Sequence, residues 1–281
     1  MKRLIIIAGP TAVGKTSHAI TLAKQLGTDV ISCDSRQFYR EMQIGVARPS
    51  DDELNAVPHH FIACRSVTEP YNIYDYRRDA ITLIEQLFQE RDAVVVVGGS
   101  GLYINALIHG VSRLPDPSPE LRKRLQQTSL EEKQDMLATL DPDYFAQVDR
   151  NNPVRLQRAL EVCLTTGCPY SQVITENVET ERSNEKWTTE IQVLSLEREV
   201  LRERINQRVD KMIADGLLDE VRTLLPYRDL PTLRTVGYRE LFPVMDGQKP
   251  LDDAINEIKL NTWHYARKQL TWLRHHLTSS D

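Results

Sequence analysis

Leu4-Ile5-Ile6-Ile7-Ala8-Gly9-Pro10-Thr11-Ala12-Val13-Gly14-Lys15-Thr16 is the stretch on which the reading of the chain turns. Leu4 to Ala8 is an unbroken apolar run rich in β-branched residues, the pattern of a strand covered on both faces. Gly9 to Thr16 fits G-x-x-x-x-G-K-[ST], and a helical stretch from Lys15 to Leu26 follows it, stopped by Gly27. Strand before and helix after are the context the motif requires. The glycines let the backbone curl so that successive N–H groups point inward, and the helix N-terminus adds partial positive charge. Lys15 contributes a full charge and Thr16 a hydroxyl ligand for Mg²⁺. Gly9, Pro10, Thr11, Ala12, Val13, Gly14, Lys15 and Thr16 thus read as a polyphosphate-binding loop, a P-loop.

Outward from this loop, strand and helix signals alternate. Asp29 to Cys33 reads as a second strand, residues 73–90 carry a helical pattern, and Ala93 to Val97 is another fully apolar run. Gly98-Gly99-Ser100-Gly101 turns that run into a new helix. The rhythm predicts an α/β fold of the P-loop nucleoside-triphosphate-hydrolase type: a parallel sheet with helices on both faces. The proline-rich Leu114-Pro115-Asp116-Pro117-Ser118-Pro119 then breaks the pattern. Residues 120–166 are polar and helical, with no strand signal until Thr188 to Leu196. The expected organisation is a core in two parts, 1–115 and 187–281, with an all-helical insertion domain at 116–186. From Glu197 onward the chain is helical, broken at Gly216, Pro226, Pro231 and Pro243.

The 281 residues carry 35 Lys and Arg against 40 Asp and Glu, a net charge of −5, with 41% hydrophobic residues. This is a globular composition, and its mild acidity argues against a protein that coats nucleic acid or membrane with its whole surface. The apolar run after Met1-Lys2-Arg3 is too short for a signal-peptide core, and no stretch approaches the length of a membrane span. Cys33, Cys64, Cys163 and Cys168 are too few for a disulfide scaffold and lack zinc-site spacing, so reduced thiols and a cytoplasmic location are expected. No partner membrane is implied, and nothing demands an oligomer.

A P-loop does not name a reaction. No Asn-Lys-x-Asp guanine signature occurs, and the Val94–Val97 run ends in Gly98 rather than an acid. The second strand does end in an acid, Asp34. In a doubly wound sheet the carboxyl ends of the strands open on one crevice, which puts Asp34 beside the phosphates. There it can ligate Mg²⁺ through water, act as general base on a nucleophile, or merely cap the turn. Beyond it lie Ser35, Arg36 and Gln37. The Gln37 amide can pair with an adenine edge, or can simply be a solvated loop residue.

Six stretches in order give the chain a resemblance beyond its P-loop: GPTAVGKT (Gly9–Thr16), DSRQFY (Asp34–Tyr39), GGSGLY (Gly98–Tyr103), NPVRLQRALE (Asn152–Glu161), RTVGYR (Arg234–Arg239) and RKQLTWLR (Arg267–Arg274). Together they span nearly the whole length and resemble the bacterial tRNA dimethylallyltransferase family. That resemblance implies transfer of a dimethylallyl group from dimethylallyl diphosphate to N6 of adenosine 37, next to the tRNA anticodon, with release of diphosphate. It implies that the P-loop, although of the kind known as nucleotide- and ATP-binding, holds the donor diphosphate. Asp34 becomes the base that takes a proton from the adenine amine, and Ser35, Arg36 and Gln37 help to hold the flipped-out base. Ser100 stands where the family usually has Thr, so the hydroxyl survives without its methyl. Arg122 falls at an isolated tRNA-contact position. Val154, Arg155, Leu156, Gln157 and Arg158 are expected to grip the anticodon stem-loop, and Arg234, Arg239, Arg267 and Arg274 to contact tRNA.

The chemistry asks for the same parts independently. An exocyclic adenine amine is a poor nucleophile, so transfer needs a good leaving group, a placed base and charge stabilisation on the departing diphosphate. Lys15, the loop amides and Mg²⁺ on Thr16 serve the leaving group. Arg204 and Arg208, four apart on one helix face, either close over it or form a solvated face paired with Glu203 or Asp210. From Ile258 to Ser280 the chain holds Lys259, Arg267, Lys268 and Arg274 without an acid, interleaved with Trp263, Tyr265 and Trp272. This composition suits a backbone-tracking RNA surface, or an amphipathic helix whose aromatics are core. Two other enzymes share several of these features: a P-loop small-molecule kinase, and an isopentenyltransferase acting on free adenine nucleotide. A nucleotide-switched RNA-binding protein fits less well.

Overall fold

The computed structural model describes residues 1–176 and 186–277. Its sheet holds five strands, β1 (Arg3–Ala8), β2 (Val30–Ser32), β3 (His59–His60), β4 (Ala93–Gly98) and β5 (Thr188–Val193), in the order β3-β2-β4-β1-β5. Every pairing is parallel, with Ile5 opposite Val95 on one side and Glu190 on the other. The chain separates into two compact units, Met1–Ile108 with Arg182–Asp281, and His109–Glu181. Residues 177–185, where the expected insertion runs toward 186, lie outside the described residues, as do residues 278–281.

In the first unit the unbroken apolar runs are explained by burial on two faces. Leu4, Ile6 and Ala8 join Val94, Val96 and Ile31 in a large core with α3 (Ile73–Glu90) and α4 (Gly101–His109). The alternate residues Ile7, Val95, Val97 and Val30 meet Ala19, Ile20 and Ala23 of α1 (Lys15–Leu26) on the opposite face. Period-two alternation sends successive side chains to opposite layers, so both registers must be apolar. The helices over 15–26 and 73–90 fall where the sequence predicts them. Two elements escaped prediction. The edge strand β3 is only two residues of histidine, and α2 (Asp51–Ala56) buries none of its residues. Neither presents an apolar period. The fifth strand stops at Val193 rather than Leu196, although the Leu194 amide still donates to Ala8 O at 2.8 Å.

The second unit contains α5 (Pro119–Gln127), α6 (Leu130–Leu140), α7 (Pro142–Gln147), α8 (Pro153–Thr166) and α9 (Tyr170–Glu176). Three of its prolines stand at helix starts, where a missing N–H costs nothing. Ser118, Asp141 and Asn152 cap those starts, and Ser129 caps that of α6, with side-chain acceptors. Asp141 is buried, yet its carboxylate is fully used by the Tyr144 amide and by the amide and hydroxyl of Ser171 at 2.7–3.0 Å. The core is Leu125, Leu137, Val148, Leu156, Ala159, Leu160 and Cys163.

The chain returns to the first unit through β5, followed by α10 (Arg198–Ala214), α11 (Leu217–Leu224), the short α12 (Phe242–Met245) and the 27-residue α13 (Leu251–Leu277). At the end of β4 the packing is tight enough to test. A Cβ on Gly98 would lie 2.3 Å from Cys33 Sγ and 3.0 Å from the Cys33 carbonyl carbon. Gly98→Ala is therefore expected to destabilise the protein by about 1–3 kcal/mol. Adding Cys33→Ala should recover part of that loss in a double-mutant cycle read by denaturant unfolding. Strict additivity of the two changes would show that the sulfur is not what Gly98 accommodates.

Candidate active site

After β1 the backbone enters the left-handed region at Ala12 (φ 66°) and Gly14 (φ 101°), which turns the loop tightly enough for α1 to begin at Lys15. Left-handed geometry is free for glycine but strained for alanine, so surrounding packing must hold Ala12. It does: Ala12 and Val13 are buried against Leu201 and Ile205 of α10 and Trp263 and Ala266 of α13. The neighbouring Gly9 has no room for a side chain, because a Cβ there would be 2.8 Å from Leu194 O.

Gln269 completes the clasp. Buried on α13, it accepts from the Thr11 amide through Oε1 at 2.9 Å and donates from Nε2 to Gly99 O at 2.8 Å. One side chain thus joins the P-loop to the Gly98–Gly101 turn. Sequence reasoning missed it. Its only trace was its place inside the RKQLTWLR stretch, where a neutral amide between basic residues draws no chemical notice.

A cleft of about 550 Å³ opens beside the loop, lined among others by Thr11, Lys15, Thr16, Asp34, Arg208 and Tyr265. A smaller cavity of about 200 Å³ shares Thr11, Asp34, Arg208 and Tyr265 with it and adds an apolar wall that includes Val209, Val236 and Ile258. Lys15 Nζ donates to Pro10 O at 2.7 Å, lying across the loop. Burial pulls its pKa down to about 8; Asp34 pushes back and Arg208 adds to the lowering. Arg208 Nη1 donates to the Thr11 hydroxyl at 3.2 Å, and burial lowers its pKa too, against the pull of Asp34 and Glu53. Arg204 Nη1 reaches Val13 O at 3.5 Å. The two arginines therefore point at the P-loop. Of their alternative partners, Asp210 pairs with Lys259 at 2.6 Å and Glu203 accepts from Gln207.

Asp34 faces the cleft although β4 lies between β2 and the P-loop strand. Its Oδ1 also accepts the Arg36 amide at 3.0 Å, so it caps the turn with one oxygen. Behind it, burial and the Asp34 charge push the Cys33 thiol up to about 12, leaving it a neutral packing group. Tyr265 has 44% of its surface exposed. Burial around its hydroxyl, with Asp34 adding, raises its pKa to about 12, while a side-chain hydrogen bond with Ser100 acts the other way. Ser35 lines the smaller cavity, as does Arg36, whose Nη1 donates to Thr232 O at 3.1 Å.

Two of the expected contact residues are held within the packing. Gln37 is held at both ends of its amide: Ser32 donates to its Oε1 at 3.2 Å, and its Nε2 donates to Ala47 O at 3.2 Å, which makes it a strut of the cleft wall. Leu156 is wholly buried in the core of the helical unit. Around it, Val154 is 75% exposed, and Gln157, Arg158 and Arg122 gather on the buried carboxylate of Glu161 at 3.0, 3.3 and 3.7 Å. Arg155 is exposed.

On α13 the aromatic residues divide. Trp263 is core, under the P-loop, with the Arg198 guanidinium 5.7 Å from its ring centroid. Trp272 is half-buried, stacks on His276 at 4.5 Å and leaves no room for a side chain at Gly101. Arg267, Lys268 and Arg274 are exposed, as is Arg234, whereas Arg239 donates through Nε to Glu240 at 2.7 Å. Metal ligands are sparse among the described residues, with no group of three His, Cys, Asp or Glu. What the cleft does offer, the Thr16 hydroxyl and the Asp34 carboxylate beside the P-loop, with Glu53 and Asp215 also in its lining, is a hard oxygen set that suits Mg²⁺ kept largely hydrated. No helix among the described residues is long and apolar enough to cross a membrane.

A parallel sheet and a P-loop clasped by two arginines and a glutamine, with a carboxylate facing the same cleft, define a P-loop α/β protein. The IPP transferase family model matches residues 37–276. A tRNA dimethylallyltransferase of Flavobacterium psychrophilum is 44% identical over 284 residues, covering 98% of this chain and 91% of its own length. The tRNA dimethylallyltransferase of Christiangramia forsetii is 46% identical, covering 96% and 90%. Among solved structures, the full-length tRNA isopentenylpyrophosphate transferase of Bacillus halodurans superposes with a TM-score of 0.70 at 36% identity, covering 99% of this chain and 88% of that one. A eukaryotic dimethylallyltransferase acting on tRNA superposes at 0.80 with 26% identity, covering 97% and 70%. The chain belongs to the IPP transferase family.

The lowered pKa of Lys15 has a measurable consequence. Its charged form is lost as pH rises through about 8, so affinity for inorganic diphosphate should fall between about pH 7 and pH 9. Lys15→Arg, charged throughout, should remove that part of the fall in calorimetric titrations. An identical slope in both proteins would place the titrating group elsewhere.

Proposed function

We propose that the chain is a tRNA dimethylallyltransferase: it moves the dimethylallyl group of dimethylallyl diphosphate to N6 of adenosine 37, beside the anticodon, and releases diphosphate. The observation that carries this reading is the shared lining of the two cavities. Thr11 and Arg208, beside the phosphate cradle, and Asp34, an acceptor for a proton, line both of them. The reaction breaks the donor carbon–oxygen bond and forms a bond from that carbon to N6, while one N6 proton passes to Asp34. Lys15, Arg208 and the loop amides neutralise the charge that gathers on the leaving diphosphate. Mg²⁺ held by Thr16, and through water by Asp34, would supply further charge neutralisation there.

The target base is stacked within its loop and must be turned out to reach Asp34. Tyr265, open to the cleft beside Ser100, supplies an aromatic face for it. Arg122, Arg155 and Arg158 of the helical unit, and Arg234, Arg267 and Arg274 of the other, are the residues assigned to the RNA backbone. On this reading the enzyme works as a monomer in the cytoplasm, where tRNA is. A P-loop kinase and a transferase for free adenine nucleotide, the alternatives raised by the sequence, have no support in the relatives found.

Purified protein given dimethylallyl diphosphate, Mg²⁺ and tRNA with adenosine at position 37 is expected to release diphosphate and form N6-modified adenosine, read by nucleoside mass spectrometry. Label appearing only on free AMP, or transferred only from ATP, would overturn the assignment. Asp34→Ala should abolish transfer while tRNA still binds; retained turnover with lost binding would make Asp34 structural. For the C-terminal helix, Arg267→Ala with Lys268→Ala should weaken tRNA binding and lower the salt slope by about 2. An unchanged slope would remove this face from the RNA path.

A further inference from the structure

Outside the phosphate cradle, one acid makes more contacts than any role assigned above requires. Glu220 lies half-buried on α11, in none of the sequence motifs. Its Oε2 accepts the amides of Gln43 (2.8 Å) and Ile44 (2.7 Å), and its Oε1 accepts the amide of Gly45 (3.0 Å) and the hydroxyl of Tyr238 (2.7 Å). Three successive backbone N–H groups converging on one carboxylate form a nest, and each bond to a charged acceptor is stronger than a neutral one.

Of the partners of Glu220, Gln43 and Ile44 line the larger cleft, Gly45 lines the smaller cavity, and Tyr238 follows directly on Gly237 of that cavity's other wall. Gly45, Val46 and Ala47 form one wall, and Thr235, Val236 and Gly237 another. The two walls touch through Tyr238, since a Cβ on Gly45 would lie 2.5 Å from its ring. Gln37 holds the far end of the first wall through Ala47 O, and Glu240 holds the second through the Gly237 amide at 2.9 Å. Glu220 itself lines neither cavity, so it acts only through the segments it binds.

We propose that Glu220, with Tyr238, is a positioning residue that sets the spacing of these two walls beside Asp34, and so the alignment of the groups that react there. The inference rests on the prenyl-transfer reading for its kinetic consequence but not for its structural one. None of the four groups bound by Glu220 belongs to the P-loop. Its loss is therefore expected to disturb alignment in the cleft without loosening the grip on diphosphate.

The test combines hydrogen exchange with kinetics on the full chain. In Glu220→Ala the amides of Gln43, Ile44 and Gly45 should exchange faster than in the wild type. The kcat for transfer should fall about tenfold or more, because small misplacements at a reacting centre are costly, while binding of inorganic diphosphate stays within about twofold. Glu220→Gln, which keeps one acceptor oxygen, should recover part of kcat. Tyr238→Phe keeps the ring, folds without a cavity and should show a smaller loss of the same kind. Unchanged exchange at the three amides, or wild-type kcat in Glu220→Ala, would overturn the proposal. So would parallel loss of diphosphate binding in both Glu220→Ala and Tyr238→Phe, which would signal general damage. A wild-type protein that transfers no prenyl group would defeat the functional reading instead, and the exchange measurement would still report on the brace.

Discussion

The turn between β1 and α1 holds the rest of the site in dependence on it. Its amides can face a phosphate only if the backbone passes through left-handed geometry at Ala12 and Gly14, and a non-glycine residue stays there only under pressure from its neighbours. Ala12 and Val13 are packed against Trp263 and Ile205, and the Thr11 amide is taken by Gln269. The C-terminal helix thus enters the site through its core face, as the buttress that keeps the loop curled. Arg204 and Arg208 come from the adjoining α10, so the loop is braced by residues nearly two hundred positions beyond it.

From this buttress follows a division of labour along α13. Trp263, Ala266 and Gln269 turn inward to the loop; Tyr265 opens on the cleft; Arg267 and Lys268 face out. A single helix can do all three because 3.6 residues per turn send neighbouring side chains in different directions. The net charge of −5 says nothing against such a helix, since a global sum averages an acidic stretch such as Asp51-Asp52-Glu53 with a basic face elsewhere. Glu220 adds a second layer of support, away from the phosphates, where three amides and a phenol hold the cavity walls.

Much of the core was legible because its signals are local. The apolar runs at 4–8 and 93–97 and the helices at 15–26 and 73–90 depend on residues within a few positions of one another. β3 was not legible, because two histidines pair with β2 only once the sheet exists to receive them. Gln37 and Leu156 read as contact residues from their motifs. Folding binds the first to Ser32 and Ala47 and sets the second inside a helical core, and both placements depend on neighbours brought together in space. Gln269 had only its place in a motif and Glu220 not even that, since an amide or an acid on a helix is ordinary until its partners are known.

By itself, then, the sequence determined the parallel α/β core, the P-loop with Lys15 and Thr16, and the acid at the end of the second strand, because each is written in short-range pattern and in residue types with few substitutes. Tertiary structure alone decided which arginines reach the P-loop, which tryptophan supports it, and which acid braces the cavity. Those choices depend on directions in space between segments far apart in the chain, and the direction of a side chain is a property of the packed molecule.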